Sequence, residues 1–362
     1  MLDHSSSWAP TGGRKPASMA RNPMIDVMRA ILVLAVLAYH YTVRWAPPEF
    51  PFNLFGYDRT YSRHWFIGSF GVHLFFVISG YVITMSVLRS GSGIKFAINR
   101  FLRIYPGFLI ASTFTFIFAW TVGPDILKVN LTDFFLTLLL IPQDVGHKYV
   151  DGAYWTLTVE AKFYFYVAMG YIFLGRRFWI VPAVIGILGP LIFFLIPGVG
   201  DRILLSPFIS FFLFGMAAWY SMNERQHVPA LILGFAGLFA YVLNFNTIAY
   251  DGEVSLAAHA TIMAGIALIF LLARYNPDIR VPVLSYLGTI SYEIYLLHQV
   301  IGLEVIRRVK AATGLPDMLC ALAAVLSSIA LAAILYHWLE PPVRSFFRRL
   351  TERPLKQATE PC

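Results

Sequence analysis

Long apolar runs separated by short polar stretches dominate the chain. An α-helix needs about 20 apolar residues to cross the hydrocarbon core of a bilayer. On this pattern, spans are predicted near 25–44, 67–88, 104–123, 153–174, 178–197, 203–222, 228–247, 255–273, 284–306 and 317–339. Segment 124–142 is different. Its apolar run from Phe134 to Ile141 is too short to span, so it is expected to lie at the interface or to re-enter. The fold class that follows is all-α, a polytopic membrane helix bundle of about ten transmembrane helices. A single unit over 23–342 is expected, with a polar, disordered tail over 1–22 and a basic tail over 343–362.

Composition agrees with that pattern. Hydrophobic residues make up 58% of the chain and charged residues 13%, against about 25% charged in a soluble domain. Most of the chain therefore cannot face water. A net charge of +8 would suggest nucleic acid in a soluble protein, but no basic patch interleaved with aromatics is present. The positive-inside rule accounts for the charge instead. With the N-terminus in the cytoplasm, Arg89, Arg176, Arg177, Arg348 and their neighbours fall on the cytoplasmic side. The bias is about two to one, so both termini are expected there. The cluster Arg307, Arg308 and Lys310 runs against the bias locally. Residues 1–22 lack the apolar core of a signal peptide. Cys320 and Cys362 offer neither a plausible disulfide nor metal-ligand spacing, so no metal centre is expected.

Ionisable groups inside spans are costly and mark function by default. Asp26, Arg29 and His40 all fall in the first span. At 100° per residue, Arg29 and His40 lie about 20° apart on the helix wheel with roughly 16 Å of rise between them. One helix face thus carries all three. On position alone, His40 is equally a packed, hydrogen-bonded histidine, and Asp26–Arg29 an ion pair at a helix start. His73 is a second buried imidazole, in a span whose Gly71, Ser79 and Gly80 allow close helix approach. Arg100 and Arg103 share a helix face. Their guanidinium groups suit a polyanion, or serve as a topology signal. Glu160 lies in an apolar segment behind Trp155 and calls for a partner on another helix, because Lys162 at i+2 does not face it. Glu293 and His298, with Tyr292, form a polar stripe in the ninth span. Glu340, Pro341 and Pro342 are expected to stop the last helix.

These segments, in this order, resemble the acyltransferase 3 family of bacterial membrane O-acyltransferases. The resemblance runs through Asp26, Arg29 and His40; Gly71 to Gly80; Arg100 to Pro106; Trp155 to Tyr164; Gly288 to His298; and Glu340 to Arg344. It covers nearly the whole chain and is nearest to exopolysaccharide and lipopolysaccharide O-acetyltransferases. His73 and Ala161 stand where the family commonly carries acids. The resemblance implies a multi-pass protein of the bacterial inner membrane, embedded in membrane lipids. It implies an acyl-CoA donor, acetyl-CoA first, and a glycan or lipid-linked sugar acceptor. Arg29, Arg100 and Arg103 would hold the donor's phosphates. His40 would act as general base or transient acyl carrier, with Glu160 the first candidate to fix its tautomer. Asp26, His73, Ser79, Trp155, Tyr292 and His298 would support the site. Two alternatives remain open on the sequence: a macrolide or other small-molecule hydroxyl as acceptor, and a transporter. The lack of paired internal repeats argues against the transporter.

Overall fold

The computed structural model of the chain describes residues 23–41, 70–224, 226–245, 256–275 and 281–357. The tail over 1–22 and the end of the tail over 343–362 lie outside the described residues.

Among the described residues the protein is an all-α membrane bundle. Five helical stretches are long and apolar enough to cross a bilayer: Gly71–Ser90, Gly93–Val122, Gly152–Arg177, Leu256–Tyr275 and Asp317–Thr351. Helix α1 is Pro23–Tyr39, with its proline at the first helical position, where a missing N–H costs nothing. Helix α2 is Gly71–Ser90. Helix α3, Gly93–Val122, runs for 30 residues, about 45 Å. That exceeds the roughly 30 Å hydrocarbon core.

Helix α4, Leu131–Leu138, is short and starts with a capping box between Asn130 and Asp133. Leu131, Phe135 and Leu139 form an exposed apolar row. At eight residues the helix is too short to span, as expected for segment 124–142. Helix α5 is Trp155–Leu174, α6 Ile180–Leu195, α7 Ile209–Trp219, α8 His227–Leu243 and α9 Leu256–Tyr275. Every residue of α7 is buried. A helix apolar all round belongs inside the bundle, and α2, α6 and α8 pack around it.

The ninth expected span is not one helix. It is divided into α10, Pro282–Thr289, α11, Ser291–Leu297, and α12, Gln299–Thr313. Helix α13 is Asp317–Ile334. A π-turn over Leu335–Leu339 then leads into α14, Glu340–Gln357. The expected stop at Glu340-Pro341-Pro342 is therefore corrected. Both prolines directly follow the π-turn inside one continuous helical stretch, Asp317–Thr351, and the wider turn accommodates residues that offer no N–H. The cluster that ran against the charge bias is paired: Arg307 and Arg308 both bond Glu304, and Arg308 also donates to the carbonyl of Val122 at 2.7 Å.

Candidate functional site: an arginine cavity and a histidine contact

Helix α1 lies between α2 and the α10–α11 pair. The close contact with α10 requires Gly288, because any Cβ there would collide with the backbone of Asp26. This fixes the rotation of α1, and the chemistry gathers at two levels along it.

At the first level is a cavity of about 80 Å3. It is lined by Arg29 of α1, Ser79 of α2, Arg100 and Arg103 of α3, Glu160 and Tyr164 of α5, and Tyr292 of α11. Arg29 lies within electrostatic range of Arg103, Glu160, Asp26 and Glu293. Tyr164 lies beside Ser79 and Glu160 in the cavity lining. The Tyr292 hydroxyl donates to the Ile104 carbonyl at 2.9 Å, tying α11 to α3. The Arg100 guanidinium lies 6.0 Å over the Phe96 ring, and its buried Nε finds no acceptor among the described residues. Guanidinium groups converging from two helices suit the bidentate recognition of phosphate.

At the second level, eleven residues beyond Arg29 and just past the end of α1, the His40 ring packs edge-on against His298 with centroids 4.9 Å apart. The surroundings of His298 are built in detail. Its Nδ1 is 2.7 Å from the Tyr295 carbonyl. Its own carbonyl accepts the Tyr41 hydroxyl at 2.7 Å. The Tyr295 hydroxyl donates to the Ala153 carbonyl at 3.0 Å and receives a bond from Thr156 at 2.9 Å. The Tyr154 hydroxyl donates to the Leu296 carbonyl at 3.0 Å. Asp151, outside the spans, holds the backbone N–H groups of Ala153 and Val300. Burial pushes its carboxyl up to about 7, against the lowering effect of those two bonds.

The structure thus brings Arg29, Arg100, Arg103, Glu160, Ser79 and Tyr292 to one cavity, and His40 and His298 to one contact. Asp26 is buried on α1 beside Arg29. His73 belongs to neither level; it is enclosed by the rings of Phe70, Phe208 and Phe211. Trp155 packs on Phe76 and Phe208. Glu160 joins the guanidinium groups, while the ring packed on His40 is that of His298. The reason is spacing on α5. Thr156 reaches the level of Tyr295, and Glu160 lies one turn, about 6 Å, deeper. Lys162 bonds Asp144 at 2.7 Å rather than Glu160.

Tyr41, Asp151, Tyr164 and Tyr295 were not singled out from sequence. Asp151 carried a usable signal, an acid just before a helix start that caps Ala153. Tyr164 and Tyr295 fall inside the matched segments Trp155 to Tyr164 and Gly288 to His298 but were given no role there, and Tyr41 carried no signal, since aromatic residues are common throughout these spans.

The model of the acyltransferase domain matches residues 22–337. The O-acetyl transferase of Shigella phage Sf6 is 29% identical over 177 residues, 45% of this chain and 50% of that protein. The chain thus spans about half the length of the phage protein. The exopolysaccharide production protein ExoZ of Rhizobium meliloti (strain 1021) is 29% identical over 320 residues, 83% of this chain and 97% of that protein. The peptidoglycan O-acetyltransferase OatA of Listeria monocytogenes serovar 1/2a is 29% identical over 160 residues, 39% of this chain and 23% of that protein. No solved structure matches the chain.

Proposed function

The chain belongs to the acyltransferase family whose model spans it, and from that premise we propose that it is a membrane O-acetyltransferase that moves an acyl group from acyl-CoA, acetyl-CoA first, to a hydroxyl of a cell-surface or lipid-linked glycan. The observation that carries this reading is the cavity that gathers Arg29, Arg100 and Arg103, with the His40–His298 contact eleven residues further along the chain from Arg29. Relatives named for O-acetyl transfer and for exopolysaccharide production support the acetyl group and the glycan acceptor.

Arg29, Arg100 and Arg103 hold the donor's phosphates at the end of the bundle that carries Arg89 and Arg177. The charge bias assigns that end to the cytoplasm. The pantetheine arm then lies along α1 and covers the roughly 16 Å from Arg29 to His40. His40 takes the proton of the acceptor hydroxyl as its oxygen bonds the thioester carbonyl carbon. When the tetrahedral intermediate collapses, the C–S bond breaks, and the proton passes from His40 to the departing sulfur. The products are the acyl ester and free CoA thiol. Imidazole suits this work because its proton exchanges near neutral pH. Donor and acceptor meet from opposite ends of the bundle, which suits glycan chemistry outside the cytoplasm in a bacterial inner membrane.

The test uses membranes carrying the full chain, radiolabelled acetyl-CoA and the cell's own surface glycan. Wild type should label the glycan, with one acetyl mass added per modified repeat. His40→Ala should lower the rate by about 100-fold or more. Wild-type activity from a normally inserted His40→Ala removes His40 as the base. No labelling by wild type overturns the assignment.

A further inference from the structure

The second imidazole of the pair has a protonation state that its surroundings dictate. His298 is 0% exposed. Its Nδ1 sits 2.7 Å from a backbone carbonyl, and a carbonyl oxygen only accepts, so Nδ1 carries the proton. In a neutral ring the lone pair is then on Nε2. That atom is buried without a hydrogen-bond partner among the described residues, which is a costly arrangement for a polar atom. The ring next to it is His40, edge-on at an interplanar angle of 76°. The Tyr41 hydroxyl, bonded to the His298 carbonyl and to Ser328, fixes the backbone beneath the ring. Tyr295, held by Ala153 and Thr156, fixes the turn before it.

We propose that His298 is the positioning residue for His40. Its Nε2 lone pair accepts the N–H of one His40 nitrogen. This selects a single tautomer and leaves the other nitrogen with its lone pair toward the acceptor hydroxyl. In hydrolase triads a carboxylate does this work. A neutral imidazole does it without placing a permanent anion inside the bilayer, where charge is costly. The small rotation that closes the bond belongs to the loaded state, since such contacts are commonly long in the absence of substrate. The inference rests on the proposed acetyl transfer and names a further residue for it.

Two variants separate positioning from packing, because each keeps one half of the imidazole. His298→Asn keeps a donor near Nδ1 for the Tyr295 carbonyl and removes the Nε2 acceptor. His298→Gln places an amide oxygen near Nε2 and loses the bond to Tyr295. Acetyl transfer is measured in membranes at varied acetyl-CoA. A positioning role is expected to give a kcat at least about tenfold higher in the Gln variant than in the Asn variant. The Asn variant should fall on the order of 100-fold below wild type. The KM for acetyl-CoA should stay within about twofold of wild type in both, since transition-state contacts move kcat. Asn at or above Gln overturns the role, as does wild-type kcat in the Asn variant. A loss expressed as KM rather than kcat overturns it too. Absence of transfer by the wild-type chain overturns the underlying activity, and the role of His298 falls with it.

Discussion

Asp151 accepts the backbone N–H of Val300 at 3.0 Å and so ties the start of α12 to the start of α5. Its other oxygen accepts from Ala153 at 2.8 Å. The contact joins residues 149 positions apart and fixes the broken ninth span where it carries His298. The carboxyl is 1% exposed, and burial raises it from 3.8 to about 7. The sign of the pH effect follows. Between those two values the folded protein binds more protons than the unfolded chain. The stabilising contribution is full below about 4, is lost as pH rises toward 7, and is flat above that. Melting temperature in detergent, scanned from pH 4 to 8, should therefore fall across that window. Asp151→Asn should abolish that part of the slope. Its amide NH2 must face a backbone N–H, so it should also be destabilised by about 1–3 kcal/mol. An unchanged slope in the variant would assign the pH effect to another group.

Helices α2 and α7 touch backbone to backbone, and two glycines permit it. A Cβ on Gly80 would overlap the Phe212 carbonyl, and one on Gly215 would overlap that of Val77. Gly80→Ala must push the helices apart in the most buried part of the bundle, a cost of about 1–3 kcal/mol or more. Gly234→Ala in α8 is the control. It meets nothing within 4 Å and should be neutral or stabilising by up to about 1 kcal/mol. Thermal unfolding of the two variants in detergent checks the contrast, and equal melting temperatures would count against the close crossing.

Much of this was legible in the sequence because a bilayer imposes a simple code. Apolar runs located the helices, and the charges of Arg29, Arg100, Arg103 and Glu160 stood out against them. What stayed hidden depends on long-range meeting or on subtle backbone changes. Nothing in the run from Pro282 to Thr313 announces the break at His298, where the helix is interrupted without a proline. Glu340-Pro341-Pro342 read as a stop because the preceding π-turn, which resets the helix, has no residue signature. Glu160 could be recognised as needing a partner, but not which one, since the choice rests on one turn of α5. The contact between His40 and His298 joins the first span to the ninth, beyond the reach of any local pattern.

The arginine pair should act on donor binding rather than on chemistry. Charge-assisted hydrogen bonds are each worth roughly 1.5–3 kcal/mol. Arg100→Ala combined with Arg103→Ala should therefore raise the KM for acetyl-CoA by at least about tenfold, with kcat at saturating donor much less affected. Arg100→Lys should recover only part of the loss, because an ammonium keeps the charge but not the planar fork. Steady-state kinetics at varied acetyl-CoA reads all three variants. An unchanged KM in the double variant would reduce the pair to a topology signal.

Glu160 offers the sharpest division between two ways of using a buried carboxylate. Within the cavity it faces Arg29 and Arg100 and lies beside Tyr164, so its charge offsets the guanidinium groups that would otherwise repel one another. Glu160→Gln keeps the shape while removing one negative charge beside the phosphate site. Donor phosphates then meet a more positive cavity. The KM for acetyl-CoA should fall by about two- to fivefold, equivalent to about 0.4–1 kcal/mol, with kcat within about threefold of wild type. The opposite pattern, a kcat lowered by about 100-fold at unchanged KM, is what loss of a group orienting His40 would give. That result would return Glu160 to the imidazole and leave the arginines balanced by Asp26 and Glu293.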